Sequence, residues 1–348
     1  FALLKFSRSC SDFFCAHILL IMTSKTFKFL NDLNTDHFFG SHYEAFIFGA
    51  FMTLDYQFNQ LCNKHREGSH ATQANRKAML KMFAEQLKAC GYNIHRMSPS
   101  DLKGRHVNKL LEQWRKDGVS TGTIKNRMTV IRWWAEKVNN SGAVKDNDTY
   151  KIEKRVYVTN ENKSVSLNDL DLSKIDENIA QSLRLQDAFG LRREESMKFQ
   201  PEFALDGQTI DNAKYIRLKD SWTKGGRPRT IPISNENQRQ ELRKAYAQAV
   251  KNGGSMIPKE KSYKAHKSNF EAVTHGLGVG QTHGLRHGYA QTRYLELMGF
   301  PCPAVGGSRS LSADEVAKDK EIRMLISEEL GHSRINITSV YLGSWSKK

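Results

Sequence analysis

The chain has 348 residues, 39% of them hydrophobic, and its 53 Lys and Arg outnumber its 37 Asp and Glu, for a net charge of +16. That length allows two domains of ordinary size, and the hydrophobic content excludes a wholly disordered chain. So large a positive charge favours a polyanionic partner, nucleic acid first and an anionic membrane surface second. The five cysteines include no Cys-x-x-Cys pair. Their pattern argues against a disulfide framework and a structural zinc site and favours a reducing cytoplasm.

The N-terminal part of the sequence carries an apolar run at residues 13–22. The run is too short to cross a bilayer, which needs about 20 apolar residues. Lys5 and Arg8 precede it, as in a secretory signal, but no small-x-small cleavage site follows. We therefore interpret residues 1–21 as a leader or upstream extension. Residues 22–70 are interpreted as an N-terminal extension of unknown role, whose many phenylalanines favour a packed element.

The positive charge is concentrated in two blocks. Residues 51–150 carry a net charge of +8 and residues 201–300 a net charge of +7, whereas residues 151–200 are neutral overall. Two basic modules of this kind could hold one polyanion from two sides.

The first basic block is predicted to be helical because its apolar residues recur every three or four positions. Helices are expected over residues 73–89, 101–117 and 121–140. We interpret residues 71–145 as one helical domain. Lys125, Arg132 and Lys137 lie off the apolar stripe of the third helix. A solvated helix face would explain any one of them, but their accumulation in a small domain predicts a surface that faces DNA.

The second half of the chain is predicted to mix helices with a small β-hairpin. Residues 146–165 are polar and predict a linker to a second domain at 166–348. Alternating apolar residues over 214–233 predict the hairpin, with Lys224 at or near its turn. Helices are expected over residues 178–189 and 192–199, separated at Gly190, and over most of the chain after the hairpin. The predicted fold class is therefore mainly α, with a small sheet in an α+β second domain.

Four short segments of the second domain carry groups suited to chemistry on a phosphodiester. They are GLRREE at 190–195, WTKGGRPRTIPI at 222–233, HGLRHGYA at 283–290 and LGHSRINITSVY at 330–341. Each alone has a simple structural explanation, such as a surface arginine or a packed tyrosine, and short motifs often occur by chance. Together they supply two arginines to bind the phosphate, a tyrosine hydroxyl to attack it, and histidines and a lysine to move protons. No metal-binding carboxylate cluster or phosphate-binding glycine loop accompanies them, so no cofactor is expected.

This ordered set resembles the tyrosine recombinase (phage integrase) family. The arginine box, the His-x-x-Arg box and the Leu-Gly-His box stand in the family's order, with nine positions from His332 to Tyr341. The resemblance covers about residues 165–348, and residues 72–142 resemble the family's core-binding domain with weaker motifs. It implies a catalytic domain at 166–348 and a SAM-like DNA-binding domain at 71–145, which together form a C-shaped clamp around DNA.

The resemblance also implies a role for each matching residue. The implied catalytic set is Arg192, Lys224, His283, Arg286, His332 and Tyr341. In this set Tyr341 attacks and forms a 3′-phosphotyrosyl link, the two arginines clamp the scissile phosphate, and His332 hydrogen-bonds it. His283 assists removal of the tyrosine proton, and Lys224 protonates the leaving 5′-oxygen. Glu195 is expected to support Arg192 and His287 to pack beside the site, and DNA contacts are expected from Lys125, Arg132, Lys137, Arg227 and Arg229.

The sequence therefore predicts a site-specific recombinase, the integrase of a mobile element, acting in the bacterial cytoplasm or nucleoid. Its expected partners are double-stranded DNA with attachment sites, three further copies in a synaptic homotetramer, and an excisionase or DNA-bending protein, with no membrane. The alternatives are a type IB topoisomerase-like enzyme, which the histidine boxes disfavour, and a non-catalytic sequence-specific DNA-binding protein, for which part of the set should be missing. An inserted loop of unknown role is expected at 299–312, and the short tail after Tyr341 leaves the coupling of protomers open.

Overall fold

The computed structural model of the chain describes residues 53–345 and divides between Arg155 and Val156 into two compact units. The division falls inside the polar stretch 146–165. The leader assigned to residues 1–21, and the following extension up to residue 52, lie outside the described residues. Within residues 53–345, no helix combines the length and the apolar content of a membrane span.

The described part of the first unit consists of helices around one core. They are α1 (Leu54–Lys64), α2 (His70–Ala89), α3 (Gly104–Lys116) and α4 (Thr121–Lys137). Ser69 and Ser120 cap α2 and α4, because each hydroxyl accepts a hydrogen bond from the backbone N–H three residues later. The apolar stripes face inward, and Leu80, Trp114 and Met128 are fully buried.

Helix α3 starts later than the sequence predicted. The expected start at residue 101 is wrong, because α3 begins at Gly104. Residues Pro99–Asp101 form a 3₁₀ turn instead, in which the Asp101 carboxylate accepts hydrogen bonds from the backbone N–H and the hydroxyl of Ser98. Asp101 therefore closes this turn and is not available to cap the helix that follows.

The second unit is mainly helical with one small sheet, so the predicted fold class is confirmed. Its helices are α5 (Glu177–Phe189), α6 (Arg193–Met197), α7 (Pro201–Leu205), α8 (Glu236–Asn252), α9 (Tyr263–Gly276), α10 (His283–Met298), α11 (Ala313–Glu329) and α12 (Ile335–Leu342). Its antiparallel strands are β1 (Tyr215–Leu218) and β2 (Arg229–Pro232). The largest core cluster joins both strands to α5, α8, α10, α11 and α12.

The connection between the two strands contains Lys224, as the sequence predicted. It runs from residue 219 to residue 228 and begins with a 3₁₀ turn that buries Trp222 against Phe203. Beyond Trp222 the chain leaves the core, and Lys224 and the two glycines after it are exposed. One end of the connection is thus anchored, whereas the part that carries Lys224 lies in solvent.

A glycine sets the path from α5 into α6. Gly190 has a left-handed backbone with φ of 59°, which ends α5 and turns the chain toward Arg192. A Cβ atom at Gly190 would lie 2.5 Å from the Tyr289 ring, so even a methyl group would not fit. The close packing of α5 against α10 at Gly190 therefore fixes the position of Arg192 and of the start of α6.

Candidate active site

The second unit brings five side chains of the predicted catalytic set into one cluster. They are Arg192, His283, Arg286, His332 and Tyr341. Arg192 immediately precedes α6, the next two lie in the first turn of α10, His332 follows α11 and Tyr341 lies in α12. Four separate segments therefore meet within one chain, and no second copy is needed to complete this cluster.

Tyr341 lies at the centre of the cluster. Its side chain is almost fully buried, and its hydroxyl oxygen lies 3.2 Å from Nε2 of His283. The Nε of Arg286 donates to the same oxygen at 3.4 Å. An imidazole can accept the phenolic proton, and a guanidinium stabilises the phenolate that remains. The arrangement is therefore suited to generating an oxygen nucleophile.

Arg286 is held by backbone carbonyl groups rather than by a carboxylate. It is 1% exposed, and its two Nη atoms donate to the carbonyl oxygens of Gly190 and Leu330. Burial, with the nearby Arg192 and Arg229, lowers its pKa to about 10, although the neighbouring Tyr341 acts in the opposite direction. Among the described residues, no carboxylate forms an ion pair with Arg286. Its charge therefore remains available to an anion placed beside Tyr341.

Arg192 is fixed by Glu195 and by the same carbonyl group that holds Arg286. Its Nη1 donates to Oε1 of Glu195 at 2.7 Å, and its Nη2 donates to the Leu330 carbonyl oxygen at 3.2 Å. Its backbone N–H donates to Oε2 of Glu195 at 2.7 Å. One carbonyl group thus accepts hydrogen bonds from both arginines, which brings the two guanidinium groups together. Paired guanidinium groups at this spacing suit the non-bridging oxygens of a phosphate.

Glu195 carries a strongly stabilised negative charge. Its side chain is fully buried, which by itself would raise its pKa. Hydrogen bonds from Arg229, and the charges of Arg229, Arg286 and Arg192, outweigh burial and lower the pKa to about 2. Glu195 is therefore an anion at neutral pH.

The histidines of the cluster favour the neutral form. Burial first, and then the charge of Arg286, lowers the pKa of His283 and of His332 to about 4. His283 is exposed on one side of the cluster, so solvent moderates its pKa shift. Burial also lowers the pKa of His287 to about 4, and its ring lies 4.6 Å from that of Tyr341. A neutral imidazole can accept or donate a hydrogen bond, which a proton-transfer site requires.

Lys224 does not join the cluster. It lies on the exposed part of the β1–β2 connection, and it makes no hydrogen bond or ion pair with any residue in the described range 53–345. The neighbouring Gly225 and Gly226 have φ of 80° and 66°. Other residues rarely adopt these backbone conformations, so the path of the connection depends on glycine at both positions.

Arg229 differs from its expected role as a DNA contact. Its side chain is 6% exposed, and its two Nη atoms donate to the two carboxylate oxygens of Glu195 at 2.9 and 2.7 Å. Its Nε donates to the carbonyl oxygen of Glu329 at 2.8 Å. These donors face the protein interior, so the expectation that Arg229 faces DNA is corrected. Arg227, two residues earlier, is exposed, and its Nη1 lies 3.5 Å from the Ser333 hydroxyl.

Strand alternation is the signal that would have indicated the burial of Arg229. Residues 229, 231 and 233 lie on one face of a strand, because successive side chains point to opposite faces. Ile231 and Ile233 are the apolar residues of this strand and are buried, so alternation places Arg229 on the inward face as well. In the observed register Arg229 is opposite the buried Leu218. Charge alone had suggested a surface position.

The basic residues predicted to face DNA in the first unit differ in their partners. Lys137 forms ion pairs with Glu67 at 2.6 Å and Glu136 at 2.9 Å, and its side chain is 15% exposed. Arg132 donates to the Lys145 carbonyl oxygen and to the side chain of Asn147. Lys125, in the first turns of α4, is half-buried and forms no ion pair with a described residue. Two of the three basic groups are thus already engaged within the unit.

Family models match both units of the chain. The model described as "Phage integrase, N-terminal" matches residues 52–141, and the model described as "Integrase" matches residues 154–292. Together the two matches span about two thirds of the 348 residues. No curated protein sequence matches the chain.

Solved structures with a similar fold include two of lambda integrase. A lambda integrase dimer bound to a COC′ core site is 12% identical, with a TM-score of 0.53, over 93% of this chain and 88% of that one. A dimer of lambda integrase residues 75–356 on the same kind of site is 12% identical, with a TM-score of 0.54, over 85% and 99%. The Tn1549 transposon integrase in complex with transposon right end DNA is 12% identical, with a TM-score of 0.48, over 84% and 95%. The lambda integrase structures share the fold of this chain.

Proposed function

The chain belongs to the phage integrase family of tyrosine recombinases, and we propose that Tyr341 is the nucleophile with which it cleaves DNA. It is an enzyme that cuts and rejoins DNA in site-specific recombination of mobile elements. The observation that supports Tyr341 is the position of its hydroxyl, 3.2 Å from an imidazole and 3.4 Å from a buried guanidinium group.

In the proposed cleavage step, the Tyr341 oxygen attacks the scissile phosphorus as the bond from phosphorus to the 5′-oxygen breaks. His283 accepts the phenolic proton, as a neutral imidazole can at neutral pH. Arg192 and Arg286 stabilise the negative charge that builds up on the non-bridging oxygens. The carbonyl group of Leu330, which accepts hydrogen bonds from both arginines, supports this pairing.

His332 and Lys224 complete the proposed mechanism. The Nε2 of His332 is buried and has no partner among the described residues, so it can donate a hydrogen bond to a non-bridging oxygen. The leaving 5′-oxygen needs a proton, which we assign to the ammonium group of Lys224. Because Lys224 lies on an exposed connection, this assignment requires that bound DNA bring the connection toward the cluster.

The proposed product of cleavage is a 3′-phosphotyrosyl link and a free 5′-hydroxyl. The link is a phosphodiester, so the energy of the broken DNA bond is conserved. A 5′-hydroxyl from another duplex can attack it, release Tyr341 and rejoin the strand without a nucleotide cofactor. In this reverse step Lys224, left neutral by cleavage, accepts the proton of the attacking 5′-hydroxyl, and His283 returns its proton to the tyrosine oxygen.

We extend the proposal to the DNA and protein partners. The substrate is double-stranded DNA that carries attachment sites, and the positive charge of both basic blocks favours binding to its phosphates. Lambda integrase, which shares the fold, has been solved as a dimer on a core site and as a tetramer on a Holliday junction. By analogy we propose a homotetramer for strand exchange, assisted by an excisionase or a DNA-bending protein, in the bacterial cytoplasm or nucleoid.

The test is a trapping experiment on a nicked duplex taken from the direct repeat that flanks the encoding element. The nick releases a short strand after cleavage, so rejoining fails and the covalent protein–DNA adduct accumulates, with no Mg²⁺ added. Tyr341→Phe should give no adduct and should still bind the duplex. Tyr246→Phe, which removes an exposed hydroxyl on α8, is the matched control and should form the adduct normally. An adduct from Tyr341→Phe would assign the nucleophile to another residue.

A further inference from the structure

We infer that Arg229 is a positioning residue, which keeps Arg192 directed toward the scissile phosphate by sharing the charge of Glu195. The inference rests on the proposed role of Arg192 as a phosphate-binding group. It goes further by assigning a function to a third arginine, whose donors face the protein interior.

The first support is the hydrogen-bond pattern of Glu195. Each of its two carboxylate oxygens accepts one hydrogen bond from the Arg229 side chain and one from Arg192. The Arg192 donor is the side chain for Oε1 and the backbone N–H for Oε2. The Arg229 fork therefore fixes both oxygens at once, a geometry that a lysine cannot reproduce. Since the carboxylate is fully buried, no water replaces a lost donor without a rearrangement.

The second support is the charge balance of the three side chains. Arg192, Glu195 and Arg229 together carry a net charge of +1, since one carboxylate serves two guanidinium groups. Without Arg229 the remaining pair would be neutral, and Glu195 would draw Arg192 into a closed ion pair. Coulomb interactions are strong in a site with little solvent, so the phosphate would lose much of the attraction of Arg192.

The third support is the contact of Arg229 with the segment that leads to His332. Its Nε donates to the Glu329 carbonyl oxygen, one residue before the carbonyl group of Leu330 that accepts from both phosphate-binding arginines. Gly331 has φ of 67°, and a Cβ there would lie 3.0 Å from Cδ of Arg229. The Arg229 side chain thus packs directly against the turn that presents His332.

The experiment measures single-turnover cleavage of the nicked duplex at saturating protein. It compares the natural phosphate with a methylphosphonate, in which a methyl group replaces one non-bridging oxygen at the scissile position. The methylphosphonate is neutral, so its cleavage depends less on guanidinium charge. The variants are Arg229→Gln and Arg229→Lys. The control is Arg217→Gln, the same change at an exposed arginine of β1 that pairs with Asp206.

On the natural phosphate, Arg229→Gln should slow cleavage on the order of 100-fold, as expected when a group that stabilises an oxyanion is misplaced. On the methylphosphonate its rate should come within about 10-fold of the unsubstituted protein, because less charge needs stabilising. Arg229→Lys restores the charge without the fork and should give an intermediate rate. Arg217→Gln should match the unsubstituted protein on both substrates.

Two results would overturn the inference. An equal loss on both substrates would give Arg229 a purely structural role. A weaker DNA affinity at an unchanged rate, with a log–log salt slope smaller by about 0.9, would make it a phosphate contact. Misfolded protein lowers the amplitude of adduct formation rather than its rate constant, so the two effects can be separated. If Arg229→Gln does not fold, Arg229→Lys, which keeps the buried positive charge, provides the same test. Failure of the unsubstituted protein to cleave would instead reject the proposed function.

Discussion

The second unit holds its proposed reactive groups in two different ways. The phosphate-binding arginines are cross-linked by hydrogen bonds to Glu195 and to the Leu330 carbonyl group, and most of their surface is buried. Lys224, by contrast, lies on an exposed connection and has no ion pair with another described residue. The cluster is therefore ready to bind a phosphate before DNA arrives, whereas the proposed general acid must take its position from the DNA. Such a difference would restrict cleavage to correctly bound sites.

The largest effect that tests this comparison is expected from Lys224→Ala. Removing a general acid should slow cleavage by about 100-fold or more and leave stability unchanged, because the side chain is exposed. A substrate with sulfur in place of the bridging 5′-oxygen has a leaving group that needs no proton. It should restore most of the rate to Lys224→Ala, as measured by single-turnover adduct formation.

The contrasting variant for this test is Arg286→Lys, in the buried cluster. It should also cleave slowly, but the sulfur substrate should not rescue it, because the charge on the non-bridging oxygens is unchanged. Lys219→Ala, an exposed lysine on the same connection, is the matched control and should keep the normal rate. Rescue of Arg286→Lys, or no rescue of Lys224→Ala, would move the general acid away from the connection.

The sequence was sufficient to predict the buried cluster but not the position of Lys224. Helical periodicity located the stripes that contain Leu80 and Trp114, and the resemblance of the four motifs to those of tyrosine recombinases implied the residues that converge on Tyr341. The pattern left the length of the strand connection open, because the packing of Trp222 against Phe203, which anchors one end of it, is a tertiary contact. Shared contacts such as the Leu330 carbonyl group involve the backbone of distant segments, which a pattern of side chains does not reveal.

The loop at residues 299–312 shows a similar limit of sequence patterns. It was expected only as an insertion, yet it contains a 3₁₀ turn at Pro303–Val305 that packs against α12. A Cβ at Gly343 would lie 2.8 Å from the backbone nitrogen of Ala304. The Arg323 side chain, which is buried, donates to the Gly343 carbonyl oxygen at 2.9 Å. The loop thus helps to hold the end of the helix that carries Tyr341.

The second prediction concerns acid stability of the buried cluster. His287 and His332 have pKa values of about 4 in the folded protein, below the value near 6.5 of an unfolded chain. Between these values the unfolded state binds more protons, so the free energy of unfolding falls as the pH falls from 6.5 to 4. The pKa of Glu195 is also lowered, to about 2, so its contribution to stability is lost only below about pH 4.5.

Protonation of the two histidines in the unfolded state should lower the free energy of unfolding by on the order of 3 kcal/mol between pH 6.5 and pH 4. This value allows for solvent near His332, which is only partly buried. Thermal unfolding followed at pH 7, 6, 5 and 4 measures this loss as a falling Tm. His332→Asn should reduce the fall, because one of the two titrating groups is gone. A Tm that is constant from pH 7 to pH 5 would contradict the burial of these rings. It would also contradict the view that the cluster is arranged before DNA binds.

The smallest effect extends the comparison to the first unit, where the proposed DNA contacts also differ in whether the protein already uses them. Lys137 is paired with Glu67 and Glu136, so moving it to a phosphate would break two ion pairs, whereas Lys125 forms none with a described residue. Lys125→Ala should therefore weaken DNA binding by about threefold at moderate salt and reduce the log–log salt slope by about 0.9, the loss of one phosphate contact. Lys137→Ala should change the slope less, because the pairs it already makes compete with the phosphate. Titrations of a fluorescent duplex at several salt concentrations measure both slopes. The reverse order would mean that DNA opens the Lys137 ion pairs, and that this unit, like the Lys224 connection, takes its binding form only on the substrate.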